Sequence, residues 1–354
     1  MRRAAAWLPV LPIALLALSA CGGSGKKAPV AGATPVETEI VSAGPSSERA
    51  KGTAADYWTT DRMQSAKPIE LIAEPGKPDS SSTIPPPDGQ KTLVPPTSPK
   101  GAVRSIRLRK SAFKVTEAMG YPFPYNRYRW SGPTTSLPAR TWGKIFFSAP
   151  DGDYVCSGTA ITSQNKSVVW TAGHCAANGG RRSFYNKRWI FVPGYDNGTA
   201  PYGRFVGKRF FTTQGWYRNE DSAVDLAAVV VSPVKQKTLV DTVGGQGIAF
   251  NQLRRQEYVS GGYPADDPFD GESLYVCDAP YGNSDLGAKP ATIAIGCDMT
   301  GGSSGGGWLV NVQNGLGMLV SVNSYGYFDQ PDAMYGPYQG SIAQKLYRQA
   351  STWR

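Results

Sequence analysis

The 354-residue chain contains a single histidine, His174. A neutral imidazole near pH 7 is suited to act as general base for a hydroxyl that is a poor nucleophile unaided. Its setting is Thr171-Ala172-Gly173-His174-Cys175, entered from the apolar run Val168-Val169-Trp170. The small residues let the chain turn tightly out of a strand. Cys175 can tie that turn to Cys156, in Cys156-Ser157-Gly158-Thr159-Ala160, and so fix the base in place. A hydroxyl partner is offered by Gly301-Gly302-Ser303-Ser304-Gly305-Gly306-Gly307-Trp308. Taken alone, this run also describes an ordinary glycine-rich loop. A third group must orient the imidazole and stabilise its charged form. The stretch Glu220 to Val229 offers Asp221 and Asp225.

Elements able to position these groups begin at about residue 136. Short apolar runs such as Lys144 to Phe147, Ser167 to Trp170, Trp189 to Val192, Leu226 to Val231 and Met318 to Val322 alternate with Gly, Asn and Asp turns. They have the length and composition of strands, and the one clear amphipathic helix is Ser341 to Thr352. The expected fold is all-β, two packed six-stranded antiparallel barrels closed by a C-terminal helix and preceded by a disordered linker.

The front end reads as an export signal over residues 1–20. Arg2 and Arg3 precede the apolar stretch Trp7 to Leu18, which has signal-peptide length and is too short to span a membrane. Leu18-Ser19-Ala20-Cys21 resembles a lipobox, which implies cleavage before Cys21 and a lipid on its sulfur; the alternative is an ordinary signal peptide with a chance cysteine. Residues 21–100, rich in Gly, Pro and Ser, form a tether or pro-segment expected to be extended and mobile. Residues 101–135 are a basic lead-in, and 136–354 the folded domain. One island interrupts the tether: Ala54 to Met63, where Thr59 or Thr60 can cap a helix starting at Asp61. It is either a harmless short helix or a segment, Tyr57 to Met63, that docks on the chain's own active-site groove.

The formal charge is +10, but no Lys/Arg run is long, so the basic surplus fits a surface near an anionic membrane better than nucleic-acid binding. Besides Cys21 there are four cysteines, Cys156, Cys175, Cys277 and Cys297. In an exported chain an even number suggests disulfides. Three pairings are open; the two close ones are preferred, each contributing roughly 3 kcal/mol by loop closure. The C-x-x-C spacing of zinc sites is absent, and no metal or cofactor is expected.

The stretches around His174 and Ser304 resemble those of the trypsin-like serine peptidases, in their bacterial secreted branch, over roughly residues 136–354. That family carries its base in T-A-A-H-C and its nucleophile in G-D-S-G-G-P. The resemblance implies Ser304 as nucleophile, with the N–H groups of Gly302 and Ser304 as oxyanion hole. It selects Asp225 over Asp221, because Asp225-Leu226-Ala227-Ala228-Val229 fits the family's D-[IL]-A-[LV]. It also implies the Cys277–Cys297 bridge, and it places Asp298 at the base of the P1 pocket, where a carboxylate would select Arg or Lys. Ser324-Tyr325-Gly326 corresponds to the segment that pairs with substrate backbone and walls that pocket. Gly261-Gly262-Tyr263-Pro264 also matches the branch. Three departures stand out. Gly173 replaces alanine, Ser303 replaces the aspartate that pairs with a new N-terminus on activation, and Gly307 replaces proline. The expected protein is an exported, lipid-anchored, monomeric serine endopeptidase acting on peptides or proteins. A protease-like binding module without turnover and an esterase or amidase on the same three residues are the alternatives.

Overall fold

A computed structural model describes residues 39–45, 53–69, 72–74, 83–101, 103–106, 108, 113 and 118–354. The export signal and Cys21 lie outside the described residues.

The first barrel closes on itself. Trp142–Ala149 pairs with Gly152–Ile161, which pairs in turn with Val168–Thr171, Ala227–Val231, Phe205–Thr213 and Ile190–Pro193, and the last returns to Trp142–Ala149. Every pair in this ring is antiparallel. Strands such as Ala227–Val231 are buried at each position, which their unbroken apolar sequence requires. One face fills the barrel and the other lies under the helix Ser341–Thr352. That helix presents Ala343, Leu346, Tyr347 and Ala350, a three-and-four spacing that makes one apolar stripe.

The second barrel runs Glu257–Gly262, Tyr275–Asn283, Ile293–Gly296, Ala333–Gly336, then Tyr325–Tyr327, and back by Leu316–Val322 and Gly307–Gln313. Chain continuity through Asn323 and Ser324 joins the two pieces Leu316–Val322 and Tyr325–Tyr327 into one bent strand. Asn314-Gly315, both at positive φ, makes the tight turn between Gly307–Gln313 and Leu316–Val322, the pairing best matched to strand twist. Gly261 lets the barrels meet, since a Cβ there would lie 2.4 Å from the Trp142 ring.

Cys156 is bonded to Cys175 and Cys277 to Cys297. The first staples the strand Gly152–Ile161 to the turn that carries His174. The second joins two neighbouring strand regions of the second barrel.

Short strands before residue 130 also join the barrels. Ile40–Ala43 adds to Phe205–Thr213, Thr92–Val94 to Gly247–Phe250, and Asn126–Arg129 to Tyr275–Asn283. The proline run is held too: Arg254, 3% exposed, donates to the carbonyls of Pro85 and Pro86 at 3.0 and 2.9 Å and stacks on Tyr338. Proline has no N–H, but its carbonyl accepts normally, and composition alone does not reveal a buried arginine waiting for it.

Candidate active site

His174 sits in a short helical turn, Gly173–Cys175, at the end of Val168–Thr171. Its Nδ1 lies 2.7 Å from Asp225 Oδ2, and its backbone N–H donates to Asp225 Oδ1 at 2.8 Å. Both bonds come from one carboxylate, so the ring and its turn are positioned together. Asp225 is fully buried and takes a further hydrogen bond, 2.6 Å, from Ser324 Oγ. The rival Asp221 faces elsewhere and caps the turn Ser222–Val224 through Ala223 N–H. Burial, opposed by that backbone bond, raises its pKa, and the nearby Asp225 adds to the rise.

Gly173 explains itself in this setting. A Cβ there would lie 2.7 Å from both the Trp216 ring and Asp225 Oδ1. Trp216 stands edge-on to the imidazole at 5.9 Å between centroids, with its indole N–H on Ala177 O. The methyl group that the family signature carries is exchanged here for a tryptophan.

Ser304 heads the loop between Thr300 and Gly307. Gly302 and Gly305 have φ of +87° and +79°, a region costly for side-chain-bearing residues. Space is also closed at Gly305, where a Cβ would lie 2.0 Å from Thr171 Oγ1. The loop is clamped from outside itself. Ser157 N–H donates to Ser304 O at 2.7 Å, Ser157 Oγ to Gly302 O at 2.9 Å, and Asn323 Nδ2 to Ser303 O at 3.1 Å. Ser303 Oγ donates to Thr300 O at 2.7 Å, so the hydroxyl standing at the activation-aspartate position closes a local turn instead. Gly307 starts the next strand where a Cβ would strike Thr159 Oγ1 at 2.3 Å. The loop thus brings Ser304 to the His174 side of the barrel junction. Ser304 Oγ and His174 Nε2 are both buried without a hydrogen-bond partner among the described residues.

Gly302 N–H, one half of the expected oxyanion hole, donates to a peptide carbonyl, that of Ile69, at 3.1 Å. Ser324 N–H donates to Tyr335 O at 3.1 Å, and Tyr325 stacks on Tyr335. Behind them Asp285 accepts from the hydroxyls of Tyr325 and Tyr327 at 3.0 and 2.6 Å. Burial and this carboxylate push the Tyr325 hydroxyl far above its usual range. The Ser324 to Gly326 backbone is therefore backed by a rigid aromatic wall. Asp298 does not stand alone. Arg127 Nε lies 2.8 Å from its Oδ1 and 3.1 Å from its Oδ2, and the guanidinium also covers Phe269. Tyr125 bonds the same carboxylate and, mainly by burial, has its pKa pushed up to about 12.

Sequence reasoning missed Ser157, Asn323, Arg127 and the hydroxyl role of Ser324. None lies in a motif that names its partner. Each becomes meaningful only once the two barrels bring distant segments together. Of the two readings open for Tyr57 to Met63, a plain short helix or a segment docked in the groove, the groove is not where they lie: they are on the flank of the first barrel. Trp58, fully buried, packs on Phe146 and donates to Arg188 O at 2.5 Å, and Tyr57 donates to Asp153 at 2.7 Å.

No protein-family model matches the sequence. One curated relative, an extracellular metalloprotease of Bacillus subtilis, is 29% identical over 98 residues, 27% of this chain. The chain spans about 30% of that relative's length. Among the described residues the group with metal-ligand proximity is Cys156, His174 and Cys175. Its two sulfurs are joined to each other and its imidazole to Asp225, so this donor set does not fit a metal ion. Solved structures resemble the chain more extensively. The protease Anisep from Arthrobacter nicotinovorans is 42% identical, with 62% of this chain and 98% of that one covered and a TM-score of 0.58. The thermostable serine protease AL20 from an extremophilic microorganism is 39% identical over 61% of this chain and 98% of its own, with a TM-score of 0.57. A Glu endopeptidase, 20% identical over 67% of this chain and all of its own, shares the fold at a TM-score of 0.50. Two closed antiparallel barrels, the His174 turn and the Ser304 loop at their junction, and these relatives converge on one statement: the chain belongs to the bacterial chymotrypsin-fold serine proteases.

Proposed function

We propose that this protein is an exported, trypsin-like serine endopeptidase, anchored by a lipid on Cys21 and monomeric. The observation that carries the catalytic reading is the buried carboxylate of Asp225, which holds both the ring and the backbone of the chain's one histidine beside a glycine-framed serine.

Ser304 Oγ attacks the carbonyl carbon of a peptide as His174 Nε2 takes its proton. The oxyanion formed accepts from the N–H groups of Gly302 and Ser304. Collapse of the intermediate breaks the C–N bond. His174 returns its proton to the leaving amine, and an acyl-enzyme ester remains on Ser304. Water then repeats the sequence with His174 as base and frees the acid. Asp225 keeps Nδ1 protonated and offsets the imidazolium charge. Ser324 Oγ holds Asp225 in turn and is a positioning residue. The P1 side chain enters beside Ser324-Tyr325-Gly326, so the acyl half of a substrate lies along that strand and the leaving half along Tyr154–Val155. Asp298 stands at the pocket base with its charge already matched by Arg127, which opposes strong selection of Arg or Lys.

The test is covalent labelling with a fluorophosphonate, followed by release of peptides from casein. Labelling that maps to Ser304 and vanishes in Ser304→Ala is expected. Labelling that persists in Ser304→Ala would remove that assignment. Hydrolysis of a simple ester with no cleavage of casein or peptides would favour the esterase alternative.

A further inference from the structure

Residues 67–69 and 72–74 lie along the substrate groove, and they run in an informative direction. Lys67–Pro68 pairs in parallel with Tyr154 and Val155. Ile69 N–H then donates to Val155 O at 3.1 Å, and Ile69 O accepts from Gly302 N–H at 3.1 Å. Further on, Ile72–Glu74 pairs in parallel with Tyr325, Gly326 and Tyr327. The chain therefore enters on the leaving-group side, places a carbonyl on an oxyanion-hole donor and continues along the acyl side. A substrate in position for cleavage has the opposite order. Its N-terminal half must lie along the pocket strand and its C-terminal half along Tyr154–Val155.

We propose that residues 67–69 and 72–74 belong to an intramolecular inhibitor that lies in the substrate groove with reversed polarity, so that it engages an oxyanion-hole donor without being cut. The proposal rests on the protease reading above and names the regulation of that same site. The chemistry of acyl transfer gives the reason for resistance. After attack on a carbonyl, the departing amine must lie where His174 can protonate it, on the leaving-group side. In the reversed chain, Ile72–Glu74, which come after Ile69, lie on the other side. An adduct formed there can only return its electrons to Ser304 Oγ, and no bond is broken. This arrangement needs no buried ion pair for activation, consistent with Ser303 standing where an aspartate would serve one.

The segment is held by more than the groove. Ile69 packs, half-buried, against the main core. Upstream, Trp58 and Met63 are fully buried on the first barrel. Tethering within one chain raises the effective concentration of the inhibitor to the millimolar range or above, so weak contacts suffice until the connection is cut.

Three forms of the full chain separate the possibilities: the natural sequence, one with residues 67–74 replaced by Gly and Ser at equal length, and Ile69→Asp, which loosens the same segment with one change. Each is checked for a cooperative thermal transition, then assayed for fluorophosphonate labelling and fluorescent-casein turnover. Both variants should label at least about 10-fold faster than the natural chain. A synthetic peptide of residues 66–75 should inhibit the Gly/Ser variant competitively and remain intact by mass spectrometry. Equal labelling of all three forms would overturn the inhibitor alone. Cleavage between Ile69 and Glu70, in the peptide or in the chain, would overturn the reversed polarity. Folded variants that neither label nor turn over casein would bring down the protease reading and this inference with it.

Discussion

At the scale of the residue, departures from the family signature are answered by specific neighbours. Gly173 is short by a methyl because Trp216 fills that space against the imidazole. Gly173→Ala should therefore displace His174 from Asp225, and a misplacement of about 1 Å is enough to cost roughly 100-fold in rate. A fall of 10- to 100-fold in kcat/KM is expected in the Gly/Ser-segment variant, with much of it restored by adding Trp216→Leu. No recovery in the double variant would mean that the clash is not with the indole. Ser324→Ala removes one hydrogen bond to a buried carboxylate, an interaction of about 1.5 to 3 kcal/mol. A drop in kcat of about 10-fold with KM unchanged is expected, since Ser324 acts through Asp225. Arg127 neutralises Asp298, so Arg127→Gln should raise the preference for Lys and Arg over neutral P1 residues in a peptide library. An unchanged profile would place Asp298 outside the P1 pocket. His174 was readable in the sequence because it is unique and sits in a distinctive frame. Ser324 and Arg127 were not, because a hydroxyl or guanidinium carries no mark of its partner, and both partners lie far away along the chain.

At the scale of the element, the barrel strands were legible from apolar runs at strand length, and the C-terminal helix was located at Ser341–Thr352 by its spacing. The short helix in the tether was also legible. Thr59 accepts from Arg62 N–H at 3.3 Å and starts the helix Thr60–Ser65, one residue earlier than expected. Its destination was not legible. An aromatic island announces that something will be buried, but it does not say on which surface. Tyr57 and Trp58 go to the barrel flank, and plainer residues after them, Lys67–Pro68 and Ile72–Glu74, pair with Tyr154–Val155 and Tyr325–Tyr327. Parallel pairing such as that of Ile72–Glu74 leaves no sequence signal, since two or three residues carry no periodicity. The helix should work as an anchor for residues 67–74. Trp58→Ala leaves every groove residue in place but empties a site buried against Phe146, a change that costs about 3 to 5 kcal/mol locally. The labelling rate of the full chain should rise several-fold. An unchanged rate would show that residues 67–74 hold the groove without help from the flank.

At the scale of the whole molecule, one buried acid sets a pH dependence for folding that is separate from catalysis. Asp278 lies in the strand Tyr275–Asn283, is 3% exposed, and has a carboxylate oxygen buried without a partner among the described residues. Burial, with Glu257 diagonal to it on the neighbouring strand, raises its pKa to about 6 from 3.8. The folded state therefore holds the proton more tightly than the unfolded chain does. Well below pH 3.8 both states are protonated and no penalty arises. Between about pH 4 and 6 the unfolded chain ionises first, so stability declines as pH rises and the loss is complete above the folded value. Asp278→Asn removes the ionisation while keeping the shape. At pH 8 it should stabilise the protein by about 1 to 2 kcal/mol, less than the full shift implies because nearby solvent screens the charge. Such a gain corresponds to a rise of about 2 to 3 °C in Tm. At about pH 3 the two proteins should melt together. The measurement is a pair of thermal scans at each pH, in the Ser304→Ala background so that self-cleavage does not interfere. A Tm difference equal at both pH values would show that the asparagine acts through packing, and that the carboxylate is not ionised against its surroundings.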